Sequence, residues 1–467
     1  MHRAARLTLV VLCIVARAHG NGLDLTGIGP RATAHAGAAV ASVDDFSAAY
    51  YNPAGLARRS ELRAQAGLSL STRALTFASA IDFSARQAES VRNEAPPDLL
   101  PWGGLALGVG RSLVVGIAYV APSVISYELA TAPDYDQPLP DEEHRYPQRY
   151  AASRFVLDRR GLGLGIGVRP LPWLALGIAA FAYDVSLVED RTIWGGEPSS
   201  DPLYAPRFDM SLSATGRDRF VPTATLGFLV APSSVPVEIG GSVSWSDSAR
   251  LTGPVSLRDT RGVTGEPPQR YATANVDSGA RARIQLPIPV TLRTGLRYLG
   301  RRFVVEAEVD LEFGAATAVS ELSWAIDGVT VIRREGTKAA IGSVPLGAAI
   351  EDRGALRLAA DVDLVPGFLT INAGYAFARG WVPRRFLSSA LPDLDTLTLA
   401  LGLEARVSGG GVSFGLARSF GVATDVTQAE TGIQWVAPFT TEPIPVGGGR
   451  YDGAETLVSV GVEVELP

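Results

Sequence analysis

The sequence predicts an all-β fold, a 14-stranded antiparallel transmembrane β-barrel preceded by a small N-terminal helical hatch in the lumen. Three observations carry this reading. Apolar and polar residues alternate strictly in segment after segment beyond residue 60. The connections between those segments are alternately short and long. A short apolar leader and a non-alternating Ala/Gly-rich stretch come before the first of them.

The leader is residues 1–20, "MHRAARLTLVVLCIVARAHG". Arg3 and Arg6 form a charged start, Leu7 to Val15 a short apolar run, and Ala16-Arg17-Ala18 a cleavage site, with Ala18-His19-Gly20 as a second candidate. This is the pattern of a secretory signal peptide. The apolar run is far below the ~20 residues that a membrane-spanning helix needs. Cleavage would remove the one cysteine, Cys13, and with it any disulfide or thiolate metal site. It would also remove three of the 42 basic residues and none of the 48 acidic ones, taking the formal charge from −6 to −9. That acidity argues against a nucleic-acid partner. No cofactor is expected.

Residues 21–59 follow, and "GIGPRATAHAGAAVASVDDFSAAYYNPAGLARRS" within them does not alternate. Pro30 suits the first turn of a helix. Asp44 or Asp45 can cap a second one, because a carboxylate accepts from the free N–H groups at a helix start. Pro53 biases Asn52 away from helix, and Gly55 permits a turn. A compact element of this kind ahead of the first strand is expected to close a lumen that is too wide for side chains alone to fill.

Residues 60–467 are read as the barrel. In "LRAQAGLSLS", Leu62, Ala64, Ala66, Leu68 and Leu70 share one face against Arg63, Gln65 and Ser69. The same period recurs in "FVVEAEVDLEF", "LTLALGLEARV" and "VSVGVEVEL". Period two means strands with one apolar and one polar face. About fourteen such segments occur, centred near 66, 105, 117, 163, 178, 226, 241, 292, 308, 358, 373, 401, 415 and 461. Short turns fall near 110, 169–173, 231–236, 298–302, 363–367 and 408–411. Long polar loops are expected near 80–99, 122–150, 190–218, 250–281, 316–346, 380–394 and 422–454. An even strand count with short turns at one end and long loops at the other describes an outer-membrane barrel. A soluble β-sandwich alternates too, but it does not predict a long loop at every second connection. Trp102, Trp173, Trp194, Trp245, Tyr298 and Trp381 lie near strand ends, as interfacial girdles would.

By parity the polar face lines the lumen with charges of both signs, including Arg63, Arg297, Glu306, Glu308, Asp310, Asp361, Asp363, Glu404 and Arg406. The plain reading of any one of them is a partly ion-paired, solvated wall. His35 reads as a packing residue. Gly411-Val412-Ser413-Phe414-Gly415 matches G-x-S-x-G, but it begins a strand and no histidine follows His144, so it is not a nucleophile elbow. "GLGLGIG" (161–167) sits on an alternating strand, where glycine thins the wall. "DYDQPLPDEEH" (134–144) reads as a solvated acidic loop, with a Ca²⁺ site as the lesser alternative.

The stretch "GIGPRATAHAGAAVASVDDFSAAYYNPAGLA" resembles the N-terminal hatch of the FadL-type outer-membrane transporters, a family of long-chain fatty acid and aromatic hydrocarbon transporters with TodX-like members. Gly29, Arg31, Ala32, Gly37, Ala38, Asp44, Asp45, Ala48 and the Asn52-Pro53-Ala54 motif carry the match. "LTINAGYAFARGWVP" (369–383) is similar to a late strand of the family. The resemblance implies a monomeric, non-enzymatic barrel in the outer membrane of a Gram-negative bacterium, set among its lipid and lipopolysaccharide. A hydrophobic substrate would be caught by the loops, held in the lumen and released when the hatch shifts, with sideways exit through a kinked strand as one route. Asp44, Asp45, Asn52, Pro53, Ala54 and Gly55 would then form the gate. A carboxylate head would call for arginine, whose planar fork suits it, and Arg159, Arg293 and Arg357 are the candidates. Long-chain fatty acid uptake is the leading expectation. Aromatic hydrocarbon uptake, an open porin and an adhesive surface barrel are the alternatives.

Overall fold

The computed structural model describes residues 25–81, 90–110, 112–130, 147–197, 199, 208–259, 272–314, 321–348, 351–442 and 444–466. The leader at 1–20 and the acidic segment at 134–144 lie outside these residues. The rest forms one closed antiparallel barrel of 14 strands. In chain order these are β1 (Leu62–Ser79), β2 (Asp98–Val109), β3 (Leu113–Glu128), β4 (Arg154–Leu171), β5 (Leu174–Trp194) and β6 (Asp209–Val230). Four interrupted strands follow: β7 (Val237–Ser246 and Ala249–Asp259), β8 (Ala272–Leu286 and Val290–Leu299), β9 (Phe303–Phe313 and Glu321–Arg333) and β10 (Ser343–Ala348 and Arg353–Val365). The last are β11 (Leu369–Ala378), β12 (Thr396–Val407), β13 (Gly410–Gly421) and β14 (Gly449–Leu466). Each strand pairs with its neighbours in sequence. The barrel closes where β1 meets β14, from Leu62↔Leu466 to Ser79↔Gly449.

Every strand centre expected from the alternation falls in a separate barrel strand. The long loops at 250–281 and 316–346 need correction. Much of each is strand, because β7 to β10 run on past their interruptions as long hairpins. Polar sequence there reflects strands with a wet outer face.

The outer wall exposes a band of large apolar side chains, among them Leu105, Leu164, Ile178, Leu226, Leu296 and Leu401. In water such a band would be unfavourable at roughly 25 cal/mol per Å²; in a bilayer it is the surface required. Among the described residues no helix is long and apolar enough to cross a membrane. The aromatic girdle holds in part. Trp173, Trp245 and Tyr298 are exposed on the outside, whereas Trp102, Trp194 and Trp381 are buried. Trp102 has inward parity and stacks on Phe46 of the hatch at 4.9 Å. Trp194 stacks on Trp435 at 5.0 Å in the loop layer that covers the long-loop end.

Candidate functional site

The hatch begins with α1 (Pro30–Ala34), which starts on proline as expected. After it the chain turns through the left-handed region at Ala36 (φ 51) and Gly37 (φ 88). Gly37 is required twice there, since a Cβ would also lie 2.4 Å from Arg357 Nη1. The turn aims three consecutive N–H groups at the wall. Ala39 N and Val40 N both donate to Glu308 Oε2 at 2.7 Å, and Ala41 N donates to Glu306 Oε1 at 2.8 Å. Fully buried N–H groups need such acceptors. The wall carboxylates are therefore the hatch's own hydrogen-bond partners, and the expectation of a solvated wall does not hold at these positions.

The second helix, α2 (Ala48–Tyr51), is a single turn. Its N-cap is Ser47, with no side-chain cap bond, so neither Asp44 nor Asp45 caps it as expected; Asp45 Oδ1 instead accepts from Ser47 N at 2.8 Å in the turn before the helix. Asn52 is extended, as the following proline demands, and leads into a 3₁₀ turn over Pro53–Arg58. Its amide nitrogen donates to Val40 O at 2.7 Å within the hatch and to Phe228 O at 2.9 Å on β6, while its Oδ1 accepts from Ala54 N at 3.2 Å. Asn52 is thus a three-way joint. Gly55 does not supply an unusual turn angle. A Cβ there would sit 2.3 Å from Val43 O, so its role is close approach.

The wall is moulded to this segment. A Cβ on Gly227 would lie 2.1 Å from Asn52 Oδ1, one on Gly177 2.2 Å from Pro53 C, and one on Gly415, within the G-x-S-x-G match on β13, 2.1 Å from Pro30 O. In the Gly-rich run of β4, a Cβ on Gly165 or Gly167 would come within 2.8 Å of Leu56 or Ala57.

Ion pairs complete the seal. Arg31 reaches Asp44 at 3.0 Å, Asp361 at 3.3 Å and Glu404 at 3.5 Å. Arg58 meets Glu238 at 2.8 Å, and Arg59 meets Glu463 at 2.6 Å. His35 is buried and bonds Asp361 through Nε2 at 2.5 Å, so it anchors the hatch as well as packing. Burial opposes the charge on Asp44, but Arg31 and then Arg59 outweigh it and hold the carboxyl well below its ordinary range. Beside it, burial pushes Asp45 up to about 6, with the Asp44 charge adding to the effect against hydrogen bonds from Ser47.

Above the hatch lies a cavity. Phe155, Leu157, Phe181, Tyr183, Val185 and Leu322 make most of its wall apolar. Trp381, Val382 and Leu391, from the loop after β11, roof it, and Tyr50 is the hatch residue on its floor. Two of the candidate arginines line it. Arg159 stacks over the Tyr183 ring at 4.1 Å. Arg293 faces the rings of Tyr50 at 5.2 Å and Tyr51 at 5.7 Å. Its Nη1 is buried and has no hydrogen-bond partner among the described residues. Arg357 is elsewhere. It binds Asp310 at 2.8 Å and donates to Ala36 O at 2.6 Å, so it clamps the hatch turn. Sequence reasoning places Glu306 and Glu308 on the luminal face but reads them as plain wall, and it does not reach Tyr50. The strand parity of the two glutamates was the signal available for them.

On one side of the wall the ladder is incomplete. The β2–β3 ladder runs only from Gly103↔Tyr119 to Val109↔Leu113. Above it β3 bulges between Val120 and Ser123, and Pro122 O accepts from Leu25 N of the hatch at 2.8 Å.

The whole barrel, hatch segment included, aligns with barrels of known structure. The crystal structure of a Pseudomonas aeruginosa FadL homologue aligns with a TM-score of 0.71 at 15% identity, covering 95% of this chain and 100% of that one. The fold is the FadL-type barrel. The Pseudomonas putida toluene transporter TodX aligns with a TM-score of 0.64 at 16% identity over 95% of this chain and 99% of its own. The Ralstonia pickettii toluene transporter TbuX gives 0.61 at 12% identity, with the same coverage of 95% and 99%. No protein-family model and no curated protein sequence matches the chain.

Proposed function

We propose that this FadL-type barrel takes up hydrophobic compounds across the outer membrane, with long-chain fatty acids as the leading substrate class. The observation that carries the reading is Arg293, a buried cation with an unpartnered Nη1 at the edge of an apolar cavity directly above the hatch. Each CH₂ of a bound chain gains ~0.8 kcal/mol from burial. A carboxylate at Arg293, with Arg159 as the alternative cation, would satisfy the group left unpaired. Arg357 leaves the ligand-binding set because it is spent on Asp310 of the wall and Ala36 O of the hatch. Asp44, Asp45, Asn52, Pro53, Ala54 and Gly55 stay as gating residues. Release would follow a hatch shift, sideways through the unladdered stretch between β2 and β3. No chemical step is involved, and the unit that acts is a monomer.

Aromatic hydrocarbon uptake is the second reading. The rings of Phe155, Phe181 and Tyr183 in the cavity favour it, as does the likeness to toluene transporters. Binding to the detergent-folded protein, followed by tryptophan fluorescence, tests the two. Saturable binding of a long-chain fatty acid that weakens in Arg293→Ala supports the first. Binding of toluene alone, indifferent to Arg293, supports the second. Binding of neither, together with a steady open conductance, overturns both.

A further inference from the structure

The wall has a second interruption, at the level of the cavity and away from β3. On β7 and β8 the ladder is regular up to Thr291↔Ser244 and resumes at Leu286↔Ala249. The count of residues is equal on the two strands, so no residue is inserted; four potential pairs are left unmade. Facing each other across the gap are 245–248 and 287–290.

The gap is built rather than frayed. Pro287 and Pro289 have no N–H to leave unpaired. On the other strand, Asp247 N donates to Pro222 O at 3.1 Å and Ser248 N to Asp247 Oδ1 at 2.8 Å. In lipid an unpaired backbone group costs several kcal/mol, so a hole at this depth persists only where such groups are removed or satisfied. Behind it lies the cavity, whose lining includes Trp245, Ser246, Pro287, Ile288 and Pro289.

The outer rim is amphiphilic. Below the gap the wall presents exposed Val243 and Leu292, and Trp245 stands exposed at its edge. One pair above the Leu286↔Ala249 edge, Arg250 is opposite Gln285, and two pairs further up Arg283 is opposite Thr252. Arg250 is exposed and its guanidinium makes no ion pair among the described residues; its backbone N–H donates to Asp218 Oδ2 at 2.9 Å. A cation at the headgroup level over an apolar slot fits a single-chain anionic amphiphile lying in the outer leaflet, with its carboxylate at Arg250 and its chain toward Ile288.

We propose that the cavity has a side portal between β7 and β8, through which membrane-dissolved anionic amphiphiles of the fatty-acid type enter it. This rests on the uptake reading above, and it adds a membrane-side entrance to the one that the long loops provide.

The test uses the full barrel in vesicles with Cys13→Ser, Asp247→Cys and Ile288→Cys, positions that face each other across the gap. Oleate is supplied either already dissolved in the vesicle lipid or from water, and loading of the cavity is followed by tryptophan fluorescence. Relative to the same variant reduced, cross-linking is expected to slow loading from lipid at least tenfold, with recovery on reduction, and to slow loading from water less. Arg250→Ala should slow loading of oleate from lipid severalfold and leave its methyl ester unaffected. Unchanged loading from lipid after cross-linking overturns the portal, as does a block produced only by a cross-link between β2 and β3. Either result can stand beside normal oleate affinity, which preserves the uptake reading. Absence of any oleate binding by the parent overturns both.

Discussion

Between the hatch and the wall around it, contacts are polar, directional and fitted to single atoms: N–H groups on Glu306 and Glu308, an amide on Phe228 O, glycines where no methyl would fit. A few residues higher, the cavity is walled mostly by aromatic and branched side chains, with Arg159 and Arg293 as its charged points. Both regions sit inside the same strands. The lower one tolerates one arrangement of one segment, because each buried donor must find its own acceptor. The upper one offers apolar area, whose worth scales with the surface covered. The same strands thus build one region specified atom by atom and one specified mainly by area.

Removing the plug should break the comparison most severely. Deletion of residues 25–59 is expected to turn a closed barrel into a steadily conducting one in planar bilayers. No increase in conductance would mean that the hatch does not seal the lumen. Loosening it comes next. Glu308→Ala leaves two buried N–H groups without acceptors, and adding Glu306→Ala leaves a third. At roughly 1–3 kcal/mol for each unsatisfied group, the double variant should open at least tenfold more often in single-channel records while the barrel keeps its heat-resistant mobility on gels.

Arg293→Ala probes the upper region. A lost charge-assisted hydrogen bond of roughly 1.5–3 kcal/mol corresponds to about 10- to 100-fold weaker binding of a fatty acid by equilibrium titration, with toluene affinity nearly unchanged. Equal losses for both ligands would point to a collapsed cavity.

The smallest expected effect is a pH dependence of the seal. Asp45 has a raised value, about 6 in place of 3.8, so the folded hatch holds its proton more tightly than the free chain does. Its contribution to hatch stability is complete below pH ~4 and is lost as pH rises toward ~6. Asp44, shifted the other way, keeps its contribution throughout that window and gives it up only in stronger acid. Open events should therefore rise severalfold between pH 4 and pH 7, and Asp45→Asn should flatten the rise. An unchanged slope in that variant would assign the dependence to another group.

Much of this was legible in the sequence, for reasons of period. Alternation places Arg159 and Arg293 inside, and strand parity cannot do otherwise. It could not say that Arg357, of the same parity, would meet Ala36 O of the hatch, because that needs the path of a non-repeating segment. Trp102 and Trp194 misled because nearness to a strand end is visible in a sequence, whereas the partner that buries a ring is not. His35 and Gly55 were assigned the commonest roles of their residue types, and tertiary contacts gave them others. The β7–β8 gap was readable only as two prolines in "LPIPV". Proline marks a missing hydrogen bond; it does not reveal that a cavity lies behind the place.

The seam between β1 and β14 has a consequence for how the molecule is made. Glu463, on β14, accepts from Gln65 across that seam and also holds Arg59, the last charged anchor of the hatch. Because β14 follows every other strand in the chain, its arrival both closes the ring and fixes the plug's exit, through one side chain. A nascent barrel lacking β14 would already offer the hatch its anchors on β7, β9, β10 and β12. The strand that closes the ring thus also supplies the last of them, so one late arrival finishes both wall and fastening.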